Sequence, residues 1–379
     1  MTPAPPAAPS PIQAYLDTLH RSFSSLATGE VATYIPELAK VAPDSFGIVL
    51  ATVDGQVYEV GDTRLLFSIQ SVSKPFVYGV ALEDRGRDRV EQAVGMEPTG
   101  DPFNAISLEP GTGRPLNPMI NAGAIAAASL VAGDSEQARL ARVLGALSAL
   151  AGRPLDIDQA IFESERDTGH RNRAIGHMLR NYGIVDGDPE PALGLYFRQC
   201  AVRVDCRDLA LMAATLANGG RNPLTGAQAV HSRFIEPMLS LMTTCGMYDY
   251  SGAWVYNVGL PAKSGVGGGI IAVLPGNWAS ACIHRGSTRV ATAPAAWPCA
   301  SASAATWACT SCSRRGRRCR RCGRATRCRT CVPSAGARRP RAASWMRWAR
   351  RPRCSSCRAT CASPRWNRCC APWWLAAPS

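Results

Sequence analysis

The chain has 379 residues, enough for one large domain or two ordinary ones with a sizeable core. Its formal charge of +14 suggests a polyanionic partner, but 21 of the 42 basic residues, all arginine, and none of the 28 acidic ones stand from Trp278 onward. The first 277 residues therefore carry 21 basic against 28 acidic side chains, a net charge near −7, and give no reason to expect nucleic acid or a membrane surface as their partner.

Residues 1–11 are rich in Pro and Ala and read as a disordered N-terminus; no basic segment leads into an apolar one, so no secretory signal is expected. A helical pattern runs over Ile12–Ala39, with Tyr15, Leu16, Leu19, Phe23 and Leu26 on one face. Phe46–Val60 predicts a hairpin turning at Asp54-Gly55, and Leu65–Ile69 a short strand leading into Ser71. The apolar run Pro118–Gly133 is interrupted by Asn121 and Ser129 and is too short to span a bilayer; it predicts a buried helix of small residues. Helices are expected at Gln137–Ala151, Ala174–Asn181 and Arg207–Asn218, the last ended by Gly219-Gly220. Trp254–Val258 and Gly268–Leu274 look like strands. Strands at both ends with helices between them predict one sheet built from N- and C-terminal segments, with an inserted helical subdomain. Only three cysteines, Cys200, Cys206 and Cys245, precede Trp278, which fits a reducing cytoplasm without a disulfide framework.

The first 277 residues hold three lysines, Lys40, Lys74 and Lys263, and two of them sit in motifs. Ser71-Val72-Ser73-Lys74 is a Ser-x-x-Lys pattern where a strand meets a helix. Residues three apart share a face, so the lysine amine can take the serine proton if burial lowers its pKa. The start of a helix adds partial positive charge where an oxyanion would develop. Pro75 suits an early helical position but biases Lys74 away from helical geometry. Alone, this tetrapeptide fits a solvated helix start as well as a nucleophile. Lys263-Ser264-Gly265, followed by Val266-Gly267-Gly268-Gly269, matches in the expected order the Lys-Ser/Thr-Gly strand of serine β-lactamases and penicillin-binding proteins.

The segments FSIQSVSK (67–74), NPMINAGAI (117–125), SERDTGHRNRA (164–174), LYFRQC (195–200), TTCGMYDYSG (243–252) and PAKSGVGGGI (261–270) resemble the successive signature blocks of bacterial glutaminases of the serine-dependent, β-lactamase-like type. The resemblance implies an α/β (α+β sandwich) fold of the β-lactamase/transpeptidase kind. It also implies hydrolysis of L-glutamine to L-glutamate and ammonia through a glutamyl ester on Ser71, with Lys74 as general base and no metal or organic cofactor. Asn121, Glu165, Asn172, Tyr196 and Tyr248 would surround the substrate, and the Val266 backbone N–H would join that of Ser71 as the oxyanion hole. Glu165 would take the substrate ammonium, and Asn121 and Asn172 its carboxylate. Tyr248 would relay a proton to the leaving ammonia, and Tyr196 would hold Lys74. Tyr34 also matches a position near the substrate. The family is typically a homodimer or homotetramer.

Two rival readings remain. A penicillin-recognising acyl enzyme would share Ser71, Lys74 and Lys263. A zinc- or nucleic-acid-binding protein could be built on the tail, where Cys309 and Cys312, Cys319 and Cys322, Cys328 and Cys331, and Cys354 and Cys357 form Cys-x-x-Cys pairs. The five histidines lie apart and form no His-Glu-x-x-His pattern, which argues against a zinc amidohydrolase.

The tail itself is anomalous. From Trp278 it contains 13 of the 16 cysteines and 8 of the 9 tryptophans without one carboxylate, a composition foreign to globular domains and similar to a GC-rich gene read out of frame. Shifting the frame at Asn277, with synonymous codons chosen freely, permits LGIGVYSP and then an amphipathic helix, which looks like the missing end of the family. Three segments are therefore expected: the N-terminus 1–11, a catalytic domain 12–277 lacking its last strand and helix, and a frameshifted, disordered tail 278–379. A chain deprived of that strand and helix is expected to fold poorly or to be inactive, even with its catalytic residues present.

Overall fold

The computed structural model describes residues 10–25, 31–33, 35–40, 43–101 and 105–284. All of them belong to one compact unit. Helix α1 (Pro11–Phe23) starts on Ser10, whose hydroxyl accepts the Ile12 N–H, and ends at Ser24. It is shorter than the pattern over Ile12–Ala39 suggested, because the weak helix formers Ser24 and Ser25 follow Phe23 even though the apolar period runs on to Leu26.

The hairpin forms as expected, β1 (Phe46–Thr52) returning as β2 (Val57–Gly61). The strand expected at Leu65–Ile69 is reduced to β3 (Phe67–Ser68), with Leu65 and Leu66 exposed before it. A 3-10 turn, Gln70–Ser73, runs straight into α2 (Lys74–Arg85), followed by α3 (Arg87–Ala93) and the small-residue helix α4 (Asn121–Ser129). Lys74 adopts helical angles in spite of Pro75, since the turn before it is already helical.

The inserted helices continue with α5 (Glu136–Ala151), α6 (Gln159–Thr168), α7 (His170–Asn181) and α8 (Glu190–Cys200). Strand β4 (Arg203–Val204) pairs with β3, away from the main sheet, and α9 (Cys206–Ala217) follows. Asp205 and Asp208 form a capping box at its start, and the Arg153 guanidinium grips the Asp208 carboxylate from α5's far end. Then come α10 (Ile235–Cys245) and α11 (Ser251–Asn257). The second of these corrects the strand expected at Trp254–Val258. Trp254 and Val258 are four residues apart and bury on one helical side, with the Trp254 indole donating to the Leu260 carbonyl at 2.8 Å.

The chain closes with β5 (Ala262–Ser264), β6 (Gly269–Leu274) and β7 (Trp278–His284), giving a five-stranded antiparallel sheet in the order β2-β1-β7-β6-β5. Helices cover both faces. Leu16 and Leu19 of α1, with Trp254, pack on Phe46, Ile48, Ile270 and Trp278; α9 lies on the other face against Val49, Ile271 and Ala281.

Strand β7 corrects the expected boundary at residue 277. The strand thought missing is Trp278–His284, lying centrally between β1 and β6. Its residues suit a strand buried on both faces, because Ala279 and Ala281 are small enough for α9 to approach while Trp278 and Cys282 fill the opposite layer. Cys282 thereby joins the three earlier cysteines, all four of them buried. The final helix, the Cys-x-x-Cys pairs and the disordered-tail reading lie outside the described residues, as do the N-terminal residues 1–9 and Tyr34.

Candidate active site

Ser71 sits in the 3-10 turn between β3 and α2, and Lys74 opens α2 one turn later. The turn is pinned by Ser73, whose hydroxyl donates to the Gln70 carbonyl at 2.7 Å and accepts from the Gln199 amide at 3.3 Å. Gln70, just before the serine, has φ of 49°, a left-handed conformation rare for a side chain of this size. Such strain persists only where the surroundings hold it, here immediately beside the nucleophile candidate.

The Lys-Ser-Gly strand β5 forms the facing wall. A Cβ on Gly265 would come within 3.0 Å of the Val72 side chain, and one on Gly267 within 2.6 Å of the Ser68 carbonyl. These glycines let the two motifs approach backbone to backbone. Beyond Gly265, the Val266 N–H makes no hydrogen bond among the described residues.

Lys74 is 1% exposed, and its amine donates to Asn121 Oδ1 at 2.7 Å and to the Met119 carbonyl at 3.1 Å. That carbonyl is aimed by Asn117, whose side chain accepts the Met119 and Ile120 N–H groups ahead of α4. Asn121 in turn donates to Asn172 Oδ1 at 3.0 Å, linking α4 to α7. Burial brings Lys74 down to about 8, against the opposing pull of Cys200 and Glu165. Among the described residues no hydrogen bond joins Lys74 directly to Ser71, whose hydroxyl pairs with Tyr248. Tyr248 also has a left-handed backbone, φ 55°, and burial raises its phenol well above the ordinary range.

Glu165 on α6 is buried, not paired with Arg166, which turns outward to Asp167. Burial pushes its carboxyl up to about 8, opposed by a hydrogen bond to the Gln70 side chain and by the charge of Lys74. Its Oε2 has no hydrogen-bond partner among the described residues. A buried carboxyl oxygen without a partner is costly unless a ligand completes it.

The expected residues Ser71, Lys74, Asn121, Asn172, Glu165, Tyr248 and Val266 thus converge from the turn, α4, α6, α7, the segment before α11 and the loop after β5. Tyr196 is nearby on α8, but its hydroxyl bonds the Cys200 thiol, and Lys74 is held by Asn121 and Met119 instead. Two neighbours were absent from the expected set, and a third, Lys263, was expected only as part of the facing motif. Gln70 touches Glu165, Cys200 lies among Tyr196, Ser73 and Lys74, and Lys263 places its amine 3.8 Å from the centre of the Tyr248 ring. Gln70 stands inside the FSIQSVSK block, yet nothing in a lone glutamine announces a strained backbone. A cavity of about 210 Å3 opens beside Val266 and Gly267, lined also by Glu37, Ser68 and Asp158. Ser71 and Lys74 are not in its lining.

A Ser-x-x-Lys turn facing a Lys-Ser-Gly strand, on an antiparallel sheet with helices on both faces, defines a hydrolase of β-lactamase-like fold. The glutaminase family model matches residues 29–284. A glutaminase of Nostoc sp. is 58% identical over 267 residues, covering 70% of this chain and 80% of that protein. The solved structure of Mglu in its tris and glutamate form superposes with a TM-score of 0.76 at 41% identity, covering 79% of this chain and 67% of that one. A probable glutaminase from Bacillus subtilis, complexed with 6-diazo-5-oxo-L-norleucine, superposes with a TM-score of 0.72 at 30% identity, covering 79% and 97%. The chain belongs to the glutaminase family.

Proposed function

We propose that this chain hydrolyses L-glutamine to L-glutamate and ammonia, the reaction of its family, through a γ-glutamyl ester on Ser71. The observation that carries the reading is the buried Glu165 carboxyl with one oxygen unpartnered, beside a Ser-x-x-Lys turn and two side-chain amides. That site takes a small molecule with an ammonium group. Lys74, rather than Tyr248, is the base, because burial makes an uncharged amine accessible near neutral pH and a phenolate inaccessible. Rotation of the lysine stem brings the amine from Asn121 to the serine one turn away.

Ser71 attacks the γ-carbonyl while Lys74 takes its proton, and the Ser71 and Val266 N–H groups stabilise the oxyanion. Collapse breaks the C–N bond as Lys74 gives up the proton it took, relayed through the Tyr248 hydroxyl to the departing ammonia, which leaves the Lys74 amine free again. Water then attacks the ester, gives a proton to Lys74, and releases glutamate and the serine hydroxyl. Glu165 holds the substrate ammonium, and Asn121 and Asn172 its α-carboxylate; Tyr196 lines the same space.

The same reading carries action on a free small molecule in the cytoplasm by a homodimer or homotetramer, with no metal or organic cofactor. Among the described residues no helix is long and apolar enough to cross a membrane. The purified protein is expected to release ammonia and glutamate from L-glutamine in equal amounts and to leave penicillin G intact. Acylation of Ser71 by penicillin G without ammonia release from glutamine would return the penicillin-recognising alternative to first place.

A further inference from the structure

Lys263 is a lysine in the interior of the sheet. It is fully buried on β5, among the largest enclosed side chains of the protein. It has no carboxylate partner among the described residues, and its one hydrogen bond goes to the carbonyl of its neighbour Ser264 at 2.6 Å. An apolar side chain of the same length would fill that space at lower cost, since a buried ammonium without a counter-charge is strongly disfavoured.

The aromatic ring of Tyr248 explains why an amine stands there. The Lys263 Nζ lies 3.8 Å from the ring centre, and the Lys74 Nζ lies 5.5 Å from the same centre. Tyr248 has no regular element to fix it: it sits at a short 3-10 turn in a left-handed conformation, and its hydroxyl must stay on Ser71. We propose that Lys263 is a positioning residue of the reaction, its amine seating the Tyr248 ring so that the phenol hydroxyl meets Ser71 and the leaving ammonia.

Burial, and then the proximity of Lys74, hold the Lys263 amine well below its ordinary range, which favours its uncharged form as an N–H donor to the ring. An uncharged amine has a second advantage over an ammonium or a guanidinium at this place. It leaves the phenol protonated, as a proton donor must be, and does not oppose protonation of Lys74 during the attack step.

This inference rests on Ser71 as nucleophile, and the experiment separates the two. The kcat and KM for L-glutamine are measured for the full chain, S71A, K263M, Y248F and the K263M/Y248F pair. K263M is expected to lower kcat by roughly 10- to 100-fold with KM changed less than about threefold, the size typical of a mispositioned proton donor. In the pair, K263M should cost nothing beyond Y248F, because it acts through the hydroxyl already removed. K263Q can still donate to the Ser264 carbonyl but is too short to rest on the ring; it should be as slow as K263M and serves if that variant does not fold. Losses that multiply in the pair, or a wild-type kcat in K263M or K263Q, would overturn the inference while leaving the Ser71 reading intact. A parent chain with no activity would instead remove the reading beneath it.

Discussion

Two buried groups at the site have opposite requirements. Lys74 must be uncharged to act as a base, and Glu165 must be charged to hold an ammonium, yet in the unliganded site burial brings both to about 8. Acidification below that range therefore removes both working forms. The logarithm of kcat/KM, which reports the free enzyme, is expected to fall with a slope approaching two. In the substrate complex the ammonium keeps Glu165 ionised, so kcat should fall with a slope of one; equal slopes in both profiles would contradict this assignment.

Glu165 also sets a stability cost. Its folded pKa lies above its unfolded one, so the carboxyl favours the fold fully below about pH 4.5 and loses that advantage as pH rises towards 8. E165Q is expected to be inactive and to melt higher than the parent near pH 9, with little difference near pH 5. A lower melting temperature at pH 9 would show that the carboxylate is satisfied within the protein. At this scale the sequence made Ser71, Lys74 and Asn121 visible, because each is a polar residue at fixed spacing or in an apolar run. Lys263 was visible as a motif residue, but its ring contact, like the strained backbone angle of Gln70, has no local signature.

Among the elements, the two motif walls depend on close backbone approach. G267A would push a methyl group into the Ser68 carbonyl, 2.6 Å away, and shift the neighbouring Val266 N–H. The expected result is a loss of about 1–3 kcal/mol in stability and a kcat lowered by at least roughly tenfold, as for a displaced oxyanion donor. Unchanged kinetics would mean that the Val266 amide is not part of the site. Elements with strong local chemistry were legible: the Asp54-Gly55 hairpin, the α5 and α9 helices, and β6. Trp254–Val258 was misread because an aromatic and β-branched run is ambiguous between strand and helix until its burial is known. Helix α1 was overextended because its apolar period continues past the serines that end it.

For the whole molecule, β7 is the decisive strand, since it joins the N-terminal hairpin to the C-terminal motif strand. Ala281 stands at its middle, opposite Val49 and Ile271, and A281E should abolish soluble expression by placing a charge in the closed interior. The change of composition at Trp278 hid this strand, because arginine-rich sequence beginning there reads as foreign to the fold. The shifted frame would put glycine at positions 279 and 281, where alanine now allows α9 to approach. Both frames thus keep the same alternation of small side chains through the register of β7. A chain carrying the shifted frame is expected to melt higher and turn over faster than the chain as written. Equal values, together with gene reads confirming an intact frame through Asn277, would contradict the frame account.

Covalent catalysis by Ser71 is tested most directly with 6-diazo-5-oxo-L-norleucine, the compound bound to the related Bacillus subtilis protein. The full chain would be incubated with it, ammonia release from L-glutamine followed over time, and the modified peptide located by mass spectrometry. The account predicts one label per chain, on Ser71, appearing in step with the loss of activity, and no label in S71A. Loss of activity with the label on another residue, or an S71A protein that still releases ammonia at the parent rate, would contradict it.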